Sequence, residues 1–266
     1  MLPKKSLSQN FLRDEAALRG IAEEAESFDT VLEIGAGEGA LTKELSKKAG
    51  KILALEFDRD LIPVLFARFP LSSNVSVVET DILRTNIIET LKKYGWKDER
   101  YAIFGNIPYA ITGKIIRLLV TLDPAPEKTV LMVQKEVAER IIAKDGKQSL
   151  LLLSVALFGA PAICFTVPKE AFFPAPRVES AVIRIIPDPN HLSLERREQI
   201  LRLAKIGFAS KRKTLVNNFA THRGYSKELL VNFLKSIGKS SSARAEELSA
   251  EEWTELQKSI HTVHKP

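Results

Sequence analysis

The sequence predicts an α/β protein: a mostly parallel sheet with an antiparallel end strand, followed by a small all-helical C-terminal domain. Three observations carry this. Strand-like and helix-like segments alternate over the first two thirds of the chain, two apolar runs follow with too short a loop between them for a crossover helix, and everything beyond Pro187 has helical periodicity.

In chain order, Thr30 to Ile34, Lys51 to Leu55, Val75 to Val78, Tyr101 to Phe104 and Thr129 to Val133 are short, rich in β-branched or aromatic residues and bounded by turn residues. Between them Ala40 to Lys48, Asp58 to Arg68 and Thr112 to Leu122 repeat apolar residues at helical spacing. This alternation means βαβ units and a parallel sheet buried on both faces. Leu150 to Phe165 is too short and too broken, by Gly159 and Pro161, to cross a membrane, and reads as a buried helix followed by a buried strand. Ile163 to Val167 and Val178 to Ile186 then form an antiparallel pair at the end of the sheet.

Pro187-Asp188-Pro189-Asn190 breaks the pattern, which places a domain boundary there and divides the chain into 1–187 and 188–266. Beyond it, Ile200, Leu203, Ala204 and Phe208 form one apolar stripe, and Leu229, Leu230, Phe233, Leu234 and Ile237 another, ended by Gly238. Ser249 with Glu252 makes a capping box for the last helix, and Leu248 can staple onto Trp253.

Composition narrows the function classes. The single cysteine, Cys164, allows no internal disulfide and no zinc quartet, and no apolar run follows the N-terminus as a secretory signal requires, so a cytoplasmic protein is expected. His261 and His264 can share a helix face, but at a fraying C-terminus, and no metal site is expected. The net charge of +6 is concentrated: residues 196 to 227 hold nine Lys or Arg and one acid, leaving −2 for the rest of the chain. A folded domain with such a basic block, centred on Lys211-Arg212-Lys213, points to a nucleic-acid partner. Lys4, Lys5 and Arg13 add positive charge at the other end of the chain.

Val31 to Ala40, with Gly35, Gly37 and Gly39, reads as a strand, a glycine turn and a helix start. Glycine lets the backbone turn sharply and approach a ligand with no Cβ between, as in Rossmann-like nucleotide sites. Glu56 at the tip of the second strand can accept from both ribose hydroxyls, and Asp81 after the third can accept from an adenine amino group. Together they describe an adenosine site, still compatible with a nicotinamide dinucleotide.

Asn106-Ile107-Pro108-Tyr109, after the fourth strand, separates hydride from methyl transfer. The exocyclic amine of adenine is a poor nucleophile because its lone pair is delocalised into the ring. The Asn106 side-chain oxygen and the Ile107 carbonyl can hold its hydrogens so that the lone pair turns toward a methyl donor. Pro108 fixes the backbone between them, and Tyr109 offers a face for an extruded base.

These motifs, with Lys4 to Leu12, Val133 to Arg140, Ala171 to Ala181, Phe208 to Leu215 and Arg244 to Ser249, resemble the rRNA adenine N6,N6-dimethyltransferases, above all the bacterial small-subunit type associated with kasugamycin sensitivity. The resemblance runs from residue 4 to about 250. It implies a class I S-adenosylmethionine-dependent methyltransferase domain at 1–187 and a basic RNA-binding helical domain at 188–266. It implies that Asn10, Leu12, Gly35, Glu56, Asp81 and Asn106 hold S-adenosylmethionine, with Gly37 in the same loop. It also implies that Phe172 stacks on the target base opposite Tyr109, and that Lys4, Lys5, Lys211, Arg212 and Lys213 touch RNA. The implied substrate is a pair of adjacent adenines in the 3′-terminal hairpin loop of 16S rRNA, each methylated twice within a pre-assembled small subunit, by a monomer and away from any membrane. Ser8 replaces the family's usual glycine, Ile107 the commoner leucine, and the segment 145–149 is short. Three alternatives stay open: a large-subunit rRNA dimethylase, a non-catalytic assembly or nucleic-acid factor, and a nicotinamide dehydrogenase.

Overall fold

The computed structural model describes residues 9–263 apart from 72, 143–147, 191 and 223–224, with the backbone alone at 261–263. Lys4, Lys5, the segment 145–147, His191, Arg223, His264 and the His261 side chain therefore lie outside the described residues. The chain divides into two compact units, residues 1–142 with 160–188, and 143–159 with 189–266.

In chain order the elements are β1 (Phe11–Leu12), α1 (Glu15–Glu23), β2 (Thr30–Ile34), α2 (Ala40–Leu45), β3 (Lys51–Glu56), α3 (Ile62–Arg68), β4 (Val75–Glu79), α4 (Ile87–Lys93), β5 (Tyr101–Asn106), α5 (Thr112–Leu119), β6 (Lys128–Gln134), α6 (Lys135–Ile142), α7 (Leu150–Ala156), β7 (Gly159–Val167), β8 (Phe172–Phe173) and β9 (Ser180–Pro187). Then come α8 (Leu194–Gly207), α9 (Leu215–Phe219), α10 (Lys227–Ser236) and α11 (Ala250–Val263).

Seven strands form one sheet in the order β4-β3-β2-β5-β6-β9-β7. The pairs β4–β3, β3–β2, β2–β5 and β5–β6 are parallel, as their near-continuous apolar runs predict. β9 runs antiparallel to β6, from Thr129 opposite Ile185 to Gln134 opposite Ser180. The antiparallel strand is thus next to last, and β7 ends the sheet. Burial explains the order: Ser180 to Ile183 are enclosed and suit a place between two neighbours, whereas β7 is half exposed and suits an edge. The buried strand expected up to Phe165 is therefore only partly buried, and Cys164 on it is half-buried rather than in the core.

The helix expected from Asp58 begins at Ile62, because the Asp58 side chain and carbonyl take the amides of Asp60 and Leu61 in a turn and Pro63 then enters the first helical turn. Helical spacing does not predict α1, α4, α6 or α9, yet the starts of α1 and α4 are marked in the sequence: the Asp14 and Asn86 side chains accept the amides of Ala17 and Glu89.

The helical unit differs from the expected cut at residue 187 in one segment. Leu153 and Leu157, on and just after α7, pack with Ile200, Phe219 and Trp253, so this stretch belongs to the helical unit and not to the sheet that precedes and follows it. Trp253 is fully buried at the centre of that core, with Phe208 stacked on it at 5.8 Å. The Ser249 cap is reciprocal: its amide donates to Glu252 at 2.7 Å, and the Glu252 amide donates to its hydroxyl at 3.2 Å.

Candidate active site

At the carboxyl ends of the parallel strands lies a cavity of about 340 Å³, a size ordinary for a small-molecule site. Asn10, Leu12, Gly35, Gly37, Glu56, Asp81 and Asn106 all line it, together with Ile107, Pro108 and Tyr109. Residues 96 positions apart in sequence are thus brought to one enclosure.

The glycine turn is built by positive φ at Gly35 (75°) and Gly37 (60°), a region closed to most side chains. The amides of Gly35 and Ala36 both donate to the Leu55 carbonyl, at 2.9 and 3.0 Å, which ties the turn to β3. Glu56, 7% exposed, completes the tie: Oε2 accepts the Gly37 amide at 2.7 Å, and Oε1 accepts those of Phe57 and Asp58 at 2.8 and 2.7 Å. A carboxylate offers about four lone-pair sites, so three are taken and one, on Oε2, is left. Glu56 is therefore first a strut of the loop and can accept one further donor without giving up a backbone amide, where two ribose hydroxyls were expected.

Asp81 accepts the Leu83 amide at 3.0 Å through Oδ1 and has Arg84 3.7 Å from Oδ2, shaping its own turn at the cavity wall. Gln9 donates to Asp58 at 2.8 Å, and the Arg13 and Arg68 guanidinium groups reach Glu38 beside the loop, Arg13 its carboxylate and Arg68 its carbonyl. These contacts fold the N-terminal segment and α3 against the glycine turn.

Glu33 has the most perturbed environment of the lining groups. It is 1% exposed, and its Oε2 has no hydrogen-bond partner among the described residues. Burial pushes its carboxyl up to about 8, the Thr42 hydroxyl working against this rise and the Glu56 carboxylate adding to it. A buried carboxyl with one oxygen left unpaired, on the wall of a cavity, suits a polar nucleoside cofactor that can bond to it. The residues present thus fit the cofactor that the sequence implies.

Asn106 ends β5, and its Nδ2 donates to the Asn10 carbonyl at 3.1 Å. That bond settles the amide: the NH₂ faces Asn10 and the oxygen remains as an acceptor. Gly105 is needed beside it, since a Cβ there would come within 2.7 Å of the Ile34 carbonyl oxygen. Pro108, with φ −59° and ψ 129°, breaks the strand before a short 3₁₀ turn at Tyr109–Ile111. The half-buried Tyr109 ring is held at its far end by Ser180, with the two hydroxyls 2.5 Å apart. Burial raises the Tyr109 phenol above its ordinary value, and the Ser180 contact opposes that rise.

Phe172 is placed less simply. β1 and β8 form a two-stranded sheet, Phe11 opposite Phe173 and Leu12 opposite Phe172, which brings this segment beside the cavity wall. Phe172 itself is only 4% exposed and does not line the cavity, whereas Phe173 is 55% exposed. In the helical unit Lys211, Arg212 and Lys213 are all exposed, on a turn that the buried Asn218 holds by donating to the Gly207 and Ser210 carbonyls at 2.6 and 3.1 Å. Arg197, part of the same basic block, is 2% exposed and lies 5.2 Å from the Phe158 ring. It is a core residue and is subtracted from the surface charge.

Sequence reasoning passed over Glu33, Phe57, Ser180 and Asn218. Phe57, 56% exposed on the cavity rim, was signalled only by a large apolar residue directly after a strand-tip acid. The contacts of Ser180 and Asn218, across 71 and 11 residues, left no local signal.

Residues 2–262 match the family model described as ribosomal RNA adenine dimethylase. The protein named ribosomal RNA small subunit methyltransferase A in Dehalococcoides mccartyi strain CBDB1 is 40% identical over 256 residues, covering 95% of this chain and 87% of the relative. The protein of that name in Acaryochloris marina is 37% identical, covering 97% of each chain. Among solved structures, a dimethyladenosine transferase from Plasmodium falciparum is similar with a TM-score of 0.75 at 26% identity, over 95% of this chain and 98% of that one. The 23S rRNA methyltransferase ErmE is similar with a TM-score of 0.68 at 25% identity, over 95% and 100%.

Proposed function

The chain belongs to the ribosomal RNA adenine dimethylase family, and from that premise we propose that it dimethylates N6 of two adjacent adenines in the 3′-terminal hairpin loop of small-subunit (16S) rRNA. As a member it is an S-adenosylmethionine-dependent methyltransferase. The observation that carries the reading is the Asn106 amide, turned by the Asn10 carbonyl so that its oxygen is an acceptor at the cavity wall.

S-adenosylmethionine supplies an electrophilic methyl group, and the chain's own residues do the rest. Asn10, Leu12, Gly35, Gly37, Glu56 and Asp81, which line the cavity, would hold the cofactor, and Phe57 would give it an apolar rim. Asn106 Oδ1 and the Ile107 carbonyl take the two amine hydrogens of the base, and Tyr109 stacks on its ring. Once N6 is alkylated it is acidic enough to lose a proton to water, so positioning matters more than a general base. We assign the second stacking face to Phe172, which must become uncovered when the base enters. A large loss of activity in Phe172→Ala with little loss in Phe173→Ala supports that assignment, and the reverse overturns it.

Lys211, Arg212 and Lys213 are proposed to bind phosphates of the rRNA, with Lys4 and Lys5 as a second basic group. The partner is the small subunit in assembled form, acted on by a monomer in the cytoplasm. The small-subunit reading is favoured over the large-subunit one by identities of up to 40% to proteins named for the small subunit, against 25% to ErmE. Undermethylated small and large subunits, each incubated with labelled cofactor, test it: dimethyladenosine is expected in the small-subunit rRNA, and its appearance only in the large subunit overturns the proposal.

A further inference from the structure

Ser180 stands where two parts of the site meet. It is the first residue of β9 and the last rung of the β6–β9 ladder, opposite Gln134. That rung sits near the carboxyl end of β6, whose neighbour β5 carries Asn106, paired with Met132. Ser180 is fully buried, and its hydroxyl is 2.5 Å from the Tyr109 phenol. The preceding residue is clamped twice: the Lys135 amide donates to the Glu179 carbonyl at 3.0 Å, and its ammonium to the Glu179 carboxylate at 2.8 Å. The main chain that carries Ser180 is therefore held on both sides, by the ladder and by this clamp.

A tyrosine ring has two side-chain torsions, and packing along the ring leaves its tilt adjustable. A hydrogen bond at the para oxygen is the contact that removes this freedom, because it fixes the ring at the point farthest from Cα. Tyr109 lies in a 3₁₀ turn of three residues, which supplies little rigidity of its own. The bond to a fully buried hydroxyl on a clamped strand supplies it instead. Nothing in the chemistry of methyl transfer calls for a phenolic oxygen, since stacking uses only the ring face. The bond to Ser180 is what a tyrosine at position 109 adds over a phenylalanine.

We propose that Ser180 is a positioning residue for base methylation, holding the Tyr109 ring through its hydroxyl at the angle the extruded adenine needs. The inference rests on Tyr109 being the stacking platform of the proposed function. Ser180 touches no reacting atom, so its loss lowers turnover and leaves cofactor binding alone.

The test is a double-mutant cycle on the full chain, with undermethylated small subunits as substrate and cofactor affinity measured by calorimetry. Ser180→Ala and Tyr109→Phe are each expected to lower kcat by about 10-fold to 100-fold with cofactor Kd unchanged, since small misplacements of a reacting group have effects of this order. The two losses must not multiply: Ser180→Ala in the Tyr109→Phe background is expected to lose nothing more. Ser180→Thr, which keeps the hydroxyl, is expected to recover most of the rate. Wild-type turnover in Ser180→Ala, or losses that multiply, overturns the inference, as does a fall in cofactor affinity, which marks a merely structural role. Tyr109→Ala separates the two levels. If it abolishes methylation while Ser180→Ala does not affect it, the inference fails and the platform stands; if Tyr109→Ala retains full activity, the platform itself fails.

Discussion

The sheet unit and the helical unit use charge in opposite ways. Around the cavity, charged groups are spent on the protein itself: Glu56 holds three backbone amides, Asp58 takes Gln9, and Glu38 takes Arg13. In the helical unit the interior is closed by apolar packing around Trp253, and Lys211, Arg212 and Lys213 stand exposed. A site that must hold one small molecule in one pose needs groups already fixed by other bonds. A surface that attracts a polyanion needs charge that remains available to solvent and phosphate.

The largest expected effect comes from breaking the fixed side at its chemical end. Asn106→Ala removes the only side-chain acceptor proposed for the amine, and methylation should fall on the order of 100-fold or more. Subunit binding, measured by sedimentation, should stay nearly unchanged; if binding falls in parallel, the two units do not divide the labour as described.

Glu56→Gln comes next. It replaces a carboxylate that accepts three amides with a neutral amide of fewer lone pairs, and hydrogen bonds to charged groups contribute about 1.5–3 kcal/mol. Cofactor Kd measured by calorimetry should therefore rise roughly 10-fold to 100-fold, with RNA affinity unaffected.

On the helical side, changing Lys211, Arg212 and Lys213 together to Ala should weaken RNA binding and reduce the slope of log affinity against log salt by about 2 to 3, each released phosphate contact being worth roughly 0.7–0.9. Cofactor affinity should not move. A fall in cofactor affinity with an unchanged salt slope would reverse the assignment of charge to function.

A last effect, read in stability and not in activity, sharpens the contrast within the cavity. Glu33 is raised to about 8 from an ordinary value of 4.5, so the folded protein holds a proton there that the unfolded chain has lost. Below pH 4.5 both states are protonated and the group is neutral in either. Between 4.5 and 8 the unfolded state binds fewer protons, and stability falls as pH rises. Glu33→Gln should remove this contribution, and the cofactor-free variant should lose less melting temperature than the parent between pH 5 and pH 8 in thermal scans. An identical pH dependence in both proteins overturns the reading of Glu33 as a buried acid whose carboxyl is raised by burial.

The sequence was legible where a residue's role is local. β2 is read to the residue from its apolar run, and the Ser249–Glu252 cap from its spacing. The acids at the strand tips and the glycine turn were legible for the same reason, since each lies at the end of a strand or within a few residues of it. Sequence did not show that α7 leaves the sheet unit, that β9 inserts between β6 and β7, or that Arg197 is buried, because each depends on which partner covers a face.

By itself the sequence determined the alternation of elements, the composition of the glycine loop, the Asn106-Ile107-Pro108-Tyr109 tetrapeptide after the fourth strand and the excess of positive charge after Pro187. These follow from periodicity, backbone freedom and charge, which are properties of neighbours in the chain. Only the tertiary structure decided which way the Asn106 amide points, how much of Glu56 is left for a ligand, and that Ser180 holds Tyr109. Those are hydrogen bonds between groups 19 to 96 residues apart. A hydrogen bond is made or lost over a few tenths of an ångström, which no sequence spacing of that length specifies.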